Sequence, residues 1–304
     1  MKIAICDVDG HGYPNLALMR ISAYHKAKGD TVEWFMPLEH YDRVYASKVF
    51  TFTPDNPYLP PDTIRGGIGY DPASSLPSEI EDMLPDYTIY PKGDTAYGFL
   101  TRGCPNRCPW CVVPDKEGGL RIDGDIEEIC NTNTGFRRKA ILMDNNFLAA
   151  PLDFIREQAE KMKKLKVRVD FNQGTDARLY EDEDRAEIMA GIPWIRMVRM
   201  SCDTDQMVQP CIDAIYSLRY YGCAREILVY ILARAEDIGS ALDRIHRLSG
   251  YDKKVVPFVM PYRPIDGWQG VPAGILKDLA RWCNRVWIRK SCSFEDYLKH
   301  KKEK

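Results

Sequence analysis

Beyond Thr95, short β-forming segments alternate with helical segments, and this alternation restricts the fold more than any other feature. Six strands are predicted, at 96–100, 139–143, 166–171, 194–200, 226–232 and 255–260. Helices are predicted at 125–130, 152–165, 182–190, 208–221, 235–248 and 273–281, with Gly222 and Gly250 expected to end two of them. Strands that alternate with helices pair in parallel, and six units are too few for a closed eight-stranded barrel.

The segment before Thr95 has its own strand and helix pattern. Strands are predicted at 2–6 and 31–35, a β-rich region at 43–53, and a helix at 15–28 that stops at Gly29. This order predicts parallel βαβ units in a Rossmann-like or flavodoxin-like layer. Residues 54–86 are rich in proline and glycine, so a regular helix is expected there only near 78–84. We expect a domain boundary near 91–94, with a Rossmann-like domain at 1–92 and a second domain at 93–304.

Composition indicates an ordinary globular protein that works in a reducing compartment. Of 304 residues, 45% are hydrophobic and 28% are charged. The formal charge of −2 gives no general attraction to nucleic acid or to a membrane. The first residues lack the pattern of a signal peptide, and the ten cysteines are mostly dispersed. We therefore expect a cytoplasmic protein with no membrane partner.

Three cysteines lie within eight residues, directly after the first strand of the alternating region. Cys104, Cys108 and Cys111 are spaced four and then three positions apart, and two prolines make the segment an irregular loop. Gly103 allows a close approach of the backbone. Three thiolates fill neither a tetrahedral structural zinc site nor the Cys₄ set of an ordinary [4Fe–4S] cluster. A cubane held by three cysteines keeps one iron free, whereas a zinc knuckle needs a distant cysteine or histidine to complete it.

This spacing, with the aromatic Trp110 just before the third cysteine, resembles the signature of the radical S-adenosylmethionine (radical SAM) enzymes. The resemblance implies a partial (β/α)₆ barrel and a [4Fe–4S] cluster whose free iron binds the amino and carboxylate groups of SAM. It also implies reductive cleavage of SAM to a 5′-deoxyadenosyl radical, which abstracts hydrogen from a substrate that the sequence does not identify. A flavodoxin or ferredoxin is the expected electron donor. Trp110 is expected beside the SAM adenine or as a packing aromatic.

Polar side chains follow the predicted strands, and ligands of parallel α/β folds bind at the carboxyl ends of strands. Asp144, Asn145 and Asn146 occupy the position where the radical SAM family binds the SAM amino group, although the common family motif there is Gly-Gly-Glu. Their other interpretation is a turn cap.

The third and fourth strands end in further candidates for the SAM site. Gln173 and Arg178 follow the third strand, Arg199 belongs to the fourth, and Ser201 comes just after the fourth. A guanidinium pairs well with the carboxylate of SAM or of a substrate, and Ser201 can reach the carboxylate or the ribose hydroxyls. A surface salt bridge is the other interpretation of Arg178.

The first domain resembles a shortened cobalamin-binding domain. The family's cobalamin loop reads Asp-x-His-x-x-Gly, and Asp9 and His11 match it, whereas Pro14 stands where glycine is expected. Cobalamin is therefore a possible cofactor, with a cobalamin-dependent radical SAM methyltransferase as an alternative function. A turn histidine that hydrogen-bonds within its own loop is the competing interpretation of His11. Only Cys6 is present in this domain, which argues against a methylthiotransferase.

The remaining cysteines lack the close spacing of a second cluster and are expected to be buried, inert thiols, with an auxiliary cluster as the alternative. They are Cys6, Cys130, Cys202, Cys211, Cys223, Cys283 and Cys292. The aromatic and basic segment 281–290 is explained by RNA contact or equally by packing of a helix on a strand. From a different class, the chain is a zinc-stabilised module that binds RNA or protein without catalysis.

Overall fold

The computed structural model describes residues 1–10, 12–264 and 274–302, which form a mixed α/β structure with parallel sheets. The strands are β1 (Lys2–Asp7), β2 (Thr31–Trp34), β3 (Arg43–Ser47), β4 (Ile64–Gly66), β5 (Thr95–Gly98), β6 (Thr101–Arg102), β7 (Arg121–Ile122), β8 (Asn131–Thr132), β9 (Gly135–Phe136), β10 (Lys139–Leu142), β11 (Arg168–Phe171), β12 (Met197–Ser201), β13 (Glu226–Ala233) and β14 (Val255–Pro261). The helices are α1 (Leu16–Ala27), α2 (Ser78–Glu81), α3 (Val113–Lys116), α4 (Ile126–Cys130), α5 (Leu152–Lys164), α6 (Glu183–Ala190), α7 (Val208–Tyr220), α8 (Ile238–Tyr251), α9 (Gly274–Asn284), α10 (Val286–Ser291) and α11 (Phe294–Lys302).

The N-terminal strands form one parallel sheet in the order β2-β1-β3-β4. Asn15 caps α1 by accepting a hydrogen bond from the Leu18 amide at 3.2 Å, and Gly29 follows the helix as predicted. The predicted parallel βαβ layer is therefore confirmed. No strand is predicted at β4 from the sequence, because its pairing with β3 provides hydrogen bonds that local proline and glycine content does not reveal.

The six predicted strands of the second region are present and parallel. They form two sheets, with the orders β5-β10-β11 and β12-β13-β14. Two parallel bridges, Val169 with Trp194 and Thr175 with Met200, connect β11 to the segment of β12. The strands thus follow one another in chain order, and their carboxyl ends lie at a common edge.

The hydrophobic core of this region lies between the strands and helices α5 to α9. Phe147 and Phe171 stack with ring centroids 4.5 Å apart, and the buried Trp194 donates to the Met189 carbonyl at 3.1 Å. The helix α5 begins and ends within one residue of its prediction. Burial of one face of each helix explains why the periodic pattern predicts these elements well.

One prediction for the C-terminal part is wrong. The helix α8 continues through Gly250 to Tyr251, because no left-handed residue interrupts it there. Residues 286–291 form the helix α10, an element that is not assigned from the sequence. The neighbouring Trp282 is buried and donates its indole N–H to the Cys292 carbonyl at 3.0 Å, so packing within the chain occupies this ring, whereas Trp287 of the same segment is exposed.

Ion pairs and hydrogen bonds connect the N-terminal region with the strands that follow. Asp86, which is buried, accepts hydrogen bonds from Ser22, Lys26 and Asn133 at 2.6 to 2.8 Å. Farther along, Lys116 donates to two backbone carbonyls of the 72–74 loop. The domain boundary at 92 and 93 stays a prediction. No helix of the described residues is both long and apolar enough to traverse a bilayer.

Candidate functional site

The cysteine loop begins at the end of β6, beside the carboxyl ends of β5 and β10. Gly103 has a φ of +78°, and a Cβ placed on it would lie 2.2 Å from the Gly119 carbonyl oxygen. The Gly103 amide donates to Oδ1 of Asn145 at 2.9 Å, and the Cys104 amide donates to the Gly118 carbonyl at 3.2 Å. Only glycine fits this position, and the two ends of the connection between β6 and β7 lie against each other here.

The three cysteines of the loop are free and half-buried. The Cys111 amide donates to the Cys108 carbonyl at 3.0 Å, and the Val113 amide donates to Cys111 Sγ at 3.5 Å where α3 begins. Burial raises the pKa of the Cys108 thiol, and negative charge on Cys111 and Cys104 raises it further. Burial likewise raises the pKa of Cys111. The thiols are therefore close enough to repel one another as thiolates, and a cationic centre between them would relieve that repulsion.

The other cysteines are also free, and apart from the half-buried Cys292 they are buried. Two of them lie near one another: Cys211 Sγ donates to the Ser201 carbonyl at 3.3 Å, and Cys202 Sγ donates to the Thr204 carbonyl at 3.6 Å. Over the described ranges, no three or more histidine, cysteine, aspartate or glutamate side chains are grouped so as to hold a metal ion.

Asp144, predicted near the SAM amino group, is buried against the backbone before the cysteine loop. Its two oxygens accept hydrogen bonds from the amides of Leu100 and Thr101, at 3.1 and 2.7 Å, and from the Thr101 hydroxyl at 2.8 Å. Burial raises its pKa to about 7, although those donors favour the charged form. This carboxyl fixes the connection between β5 and β6, which is the capping role that the sequence left open.

Asn146 links the end of β10 to the cysteine loop. Its Nδ2 donates to Cys104 Sγ at 3.5 Å. Its Oδ1 is fully buried and has no hydrogen-bond partner within the described part of the chain. A buried acceptor without a partner is costly in a folded protein, so this oxygen is suited to a donor from a bound ligand.

Asn172, which sequence reasoning did not select, has the same property at the end of β11. Its Oδ1 is buried without a partner among the described residues, and its carbonyl accepts a hydrogen bond from the Tyr230 hydroxyl at 2.8 Å. The sequence feature that could have identified Asn172 as a site residue is its position directly after a buried strand, one residue before Gln173. Gln173 itself is exposed.

Arg178 lies beside the cysteine loop and is already paired. Its guanidinium binds Asp176 through Nε at 2.9 Å and Nη2 at 2.6 Å, and Asn106 of the loop donates to the same carboxylate at 2.8 Å. A salt bridge, the other interpretation of Arg178 in the sequence, is thus present, with Asp176 as its partner. The charges of Cys108 and Cys104 add to the raised pKa of Arg178, which places the guanidinium within electrostatic reach of the thiols.

Arg199 points to the interior of the strand series. It binds Asp170 on β11 with both guanidinium edges, Nε at 2.6 Å and Nη2 at 2.7 Å, and donates from Nη1 to the Tyr230 hydroxyl at 3.0 Å. Asp170 raises the pKa of Arg199 despite burial. This network spans β11, β12 and β13 and keeps their carboxyl ends together. Arg199 therefore serves mainly to position these strand ends.

Trp110 and the end of β12 meet on the other side of the loop. The Trp110 indole donates to Asp203 at 3.3 Å. Burial raises the pKa of Asp203, and the nearby Trp110 and Ser201 side chains oppose that rise. The Arg234 guanidinium lies 5.2 Å from the Trp110 ring centroid and 5.1 Å from that of Tyr262. Trp110 and Ser201 are therefore brought together, with Asp203 between them.

Arg263 follows β14 and lies at the same edge of the strands. Its guanidinium is 4.0 Å from the Phe52 ring centroid, so the N-terminal region contacts this edge. Its Nη1 is buried without a partner among the described residues. No local pattern points to Arg263, because its distance from Phe52 along the chain conceals the contact.

The loop predicted to bind cobalamin contains Asp9, whose carboxylate already accepts hydrogen bonds from within the chain. Asp9 accepts hydrogen bonds from the Val49 and Phe50 amides and, at 2.6 Å, from the Thr53 hydroxyl. These contacts hold the 49–53 segment against the loop. His11 lies outside the described residues, so cobalamin binding stays a prediction.

Comparisons with known proteins give no relative from which a function can be transferred. No protein-family model matches the chain, and no curated protein matches it. The functional argument therefore depends on the residues at the carboxyl ends of the strands.

Proposed function

We propose that this chain is a radical SAM enzyme whose Cys104, Cys108 and Cys111 hold a [4Fe–4S] cluster. The observation that carries the proposal is the contact between three free thiols and Asn146, which donates to Cys104 Sγ at 3.5 Å and has a buried Oδ1 without a partner in the described chain. Asn172 presents a second such oxygen at the end of the neighbouring strand β11. Thiolates are the ligands of iron–sulfur clusters, and amide oxygens accept hydrogen bonds from an ammonium. One site thus offers ligands for the cluster and acceptors for the amino group of SAM.

The strand arrangement supports a partial (β/α)₆ barrel as the finer description of the fold. Six parallel strands follow one another in chain order from β5 to β14, and two bridges join the two sheets. In parallel architectures of this kind the site lies at the carboxyl ends of the strands. The cysteine loop follows the first of these strands, as the proposal requires.

Arg178 and Trp110 are the residues proposed to receive the rest of SAM. Arg178 is half exposed, and its guanidinium retains donors beyond those that Asp176 uses, so it can pair with the SAM carboxylate. Trp110 offers a half-buried ring next to Arg234 for the adenine. Ser201, Asp203 and Gln173 are the nearby polar groups for the ribose hydroxyls.

A reduced cluster held by Cys104, Cys108 and Cys111 would supply the one electron needed for reductive cleavage of SAM, and so the means of abstracting hydrogen from a substrate. The chain's own contribution is to orient the ligands and exclude water. Asp144 fixes the start of the cysteine loop, and the Arg199–Asp170 pair keeps neighbouring strand ends together. A flavodoxin or ferredoxin is the proposed electron donor.

Anaerobic reconstitution tests this proposal. We expect about four irons per chain and 5′-deoxyadenosine that forms only with SAM and a reductant. The variants Cys104→Ala, Cys108→Ala and Cys111→Ala should each lose iron and activity. The half-buried Cys292 provides the matched control, and Cys292→Ala should retain both.

A different metal content would overturn the proposal. Stoichiometric zinc without iron in anaerobically purified protein, together with no SAM binding, would indicate a zinc-stabilised module. Iron loading and product formation that persist in all three loop variants would contradict the ligand assignment.

A further inference from the structure

A basic cleft lies at the edge of the strands opposite the cysteine loop. It has a volume of about 1060 Å³ and is formed where β5, β10 and β11 begin. Its cations are Arg137, Arg138, Lys139, Lys163, Lys166 and Arg168. Asp94 is the one carboxylate among its described lining residues. We call this feature the basic cleft.

Four of these six cations have no carboxylate partner among the described residues, so their charge is not compensated. Arg137 donates to the Thr95 carbonyl at 2.9 Å and lies over the Tyr87 ring, 4.0 Å from its centroid. Arg138 donates to the Leu165 carbonyl at 2.6 Å. Lys139 is paired with Asp94, and Lys163 with Glu160.

The side chains of Lys166 and Arg168 have no hydrogen bond or ion pair with the described residues. Both are exposed. Concentrated positive charge in a concave surface attracts anions more strongly than the same charges spread over a convex one. The basic cleft is therefore a site for an anionic ligand.

The backbone at Lys166 gives a second, independent indication. Lys166 has a φ of +55°, the one non-glycine residue with positive φ in the described ranges. It follows α5 in a turn in which the Lys166 and Val167 amides donate to the Lys163 and Met162 carbonyls, at 3.1 and 2.9 Å. The same turn after α1 and α7 has glycine at this position, Gly29 and Gly222.

A lysine in the left-handed region costs about 1 kcal/mol relative to glycine. Favourable interaction with the helix dipole explains lysines in the last turn of α5, such as Lys163. It does not explain Arg168, Lys139 or Arg138, which belong to strands and their approaches. Lys166 keeps its side chain despite the free-energy cost of a left-handed backbone, which a functional need for its positive charge explains.

We propose that the basic cleft binds the phosphodiester backbone of a single-stranded nucleic acid. Several cations along one cleft match a ligand with several phosphates, and guanidinium groups bind phosphate with two hydrogen bonds. Phe136, 42% exposed, lies at the cleft with the Arg138 guanidinium 5.8 Å from its ring centroid. An exposed ring beside cations offers a base a surface for stacking, which an acidic peptide or a lipid headgroup does not use.

The overall charge of −2 does not indicate this ligand, because the positive charge is local. Residues 137–139 and 163–168 are far apart in sequence, and the parallel pairing of β10 with β11 brings them together. Binding of nucleic acid at the basic cleft does not depend on the cluster or on SAM. The experiments can therefore contradict this proposal without contradicting the proposed function, and the reverse.

Fluorescence anisotropy with a labelled single strand of about 20 nucleotides, as RNA and as DNA, tests the proposal. Binding should be detectable at about 50 mM salt and weaken steeply by about 200 mM. The variant Lys166→Glu/Arg168→Glu should weaken binding by at least tenfold and reduce the salt slope by about 1.4, at roughly 0.7 for each phosphate that the variant no longer binds. Preference for RNA or for DNA identifies the source, and either supports the proposal.

The matched control is Lys277→Glu/Arg281→Glu, which reverses two exposed charges on α9 at the other end of the strand series. It should leave binding within twofold. The variant Lys166→Gly/Arg168→Gln guards against misfolding, because glycine fits the positive φ of residue 166. It should weaken binding severalfold with unchanged circular dichroism.

Absence of binding to both oligonucleotides at low salt would overturn the proposal. The proposal also fails if the α9 control weakens binding as much as the cleft variant. Equal affinity for polyglutamate of matched charge, or binding only to tripolyphosphate or to phosphatidylserine vesicles, would also contradict it.

Discussion

The side-chain amide of Asn146 donates a hydrogen bond to Cys104 Sγ across 3.5 Å. The same side chain presents a buried oxygen without a partner in the described part of the chain. The end of β10 therefore contacts the cysteine loop and has an acceptor left for a ligand. One side chain thus connects the proposed cluster ligand with the proposed SAM amino site.

Removal of the Asn146 amide should weaken SAM binding. In Asn146→Ala, the absence of a hydrogen bond to an ammonium should raise the SAM dissociation constant about tenfold, which corresponds to about 1.4 kcal/mol. Equilibrium dialysis with labelled SAM on reconstituted protein measures the effect. Iron content is measured in parallel, because the same change removes the hydrogen bond to Cys104.

The control for Asn146 is Asn131→Ala, a change at an exposed asparagine. It should leave the dissociation constant unchanged. If Asn146→Ala retains iron and binds SAM as tightly as the control, the assignment of Oδ1 to the SAM amino group is wrong.

The buried carboxyl of Asp144 should make stability depend on pH. Its pKa is raised from 3.8 to about 7, so between these values the folded chain holds a proton that the unfolded chain releases. Unfolding then releases a proton, and the free energy of unfolding falls as the pH rises through this window, by an amount on the order of a few kcal/mol.

Urea unfolding at about pH 5 and about pH 7 measures this dependence. Asp144→Asn cannot titrate, so its free energy of unfolding should fall less over the same range than that of the unchanged chain. Asp62→Asn, at an exposed position, should behave like the unchanged chain. Identical slopes for all three proteins would contradict the predicted titration of Asp144.

Two glycines near the cysteine loop should respond differently to alanine. Gly103 and Gly118 both have positive φ, +78° and +72°, but of the two only Gly103 would bring a Cβ against backbone, at 2.2 Å from the Gly119 oxygen. Gly118→Ala should cost about 1 kcal/mol of conformational strain. Gly103→Ala should cost clearly more and also reduce iron loading, because the loop must move. Thermal unfolding and iron analysis measure these effects, and equal losses in both variants would argue against the close approach.

The turns after α5 and α7 permit a reciprocal exchange. Lys166→Gly should stabilise the chain by about 1 kcal/mol, and Gly222→Lys should destabilise it by a similar amount. Nothing in the described chain lies within 4 Å of a Cβ at Gly222, so the second change introduces strain without a clash. Urea unfolding at neutral pH measures both. A destabilised Lys166→Gly would mean that the lysine side chain stabilises the folded chain by itself.

The sequence predicts the parts of this molecule that local patterns determine. The strand and helix alternation, the end of α1 before Gly29 and the close backbone approach at Gly103 follow from hydrophobic periodicity and backbone chemistry. The strand β4 and the course of α8 past Gly250 do not, because pairing and packing with distant residues decide them.

The sequence predicts which kinds of residue form the candidate site, but not which partners they have. Sequence position placed Asp144 and Arg199 at strand ends, but their partners, the Leu100 amide and Asp170, depend on the register between neighbouring strands. Asn172 is similar in kind to Asn146, yet only the three-dimensional arrangement reveals that its oxygen lacks a partner in the described chain. Long-range contacts therefore decide which polar groups remain available for a ligand.

The basic cleft also gives the whole molecule an electric dipole moment. With a formal charge of −2, the chain carries a compensating excess of carboxylates away from the cleft. A cation-exchange resin at neutral pH should then retain a protein of negative net charge, because it adsorbs with one face towards the resin. Retention would show that the molecule adsorbs to the resin in one orientation. The Lys166→Glu/Arg168→Glu variant should elute earlier than its α9 control, although both variants have the same net charge.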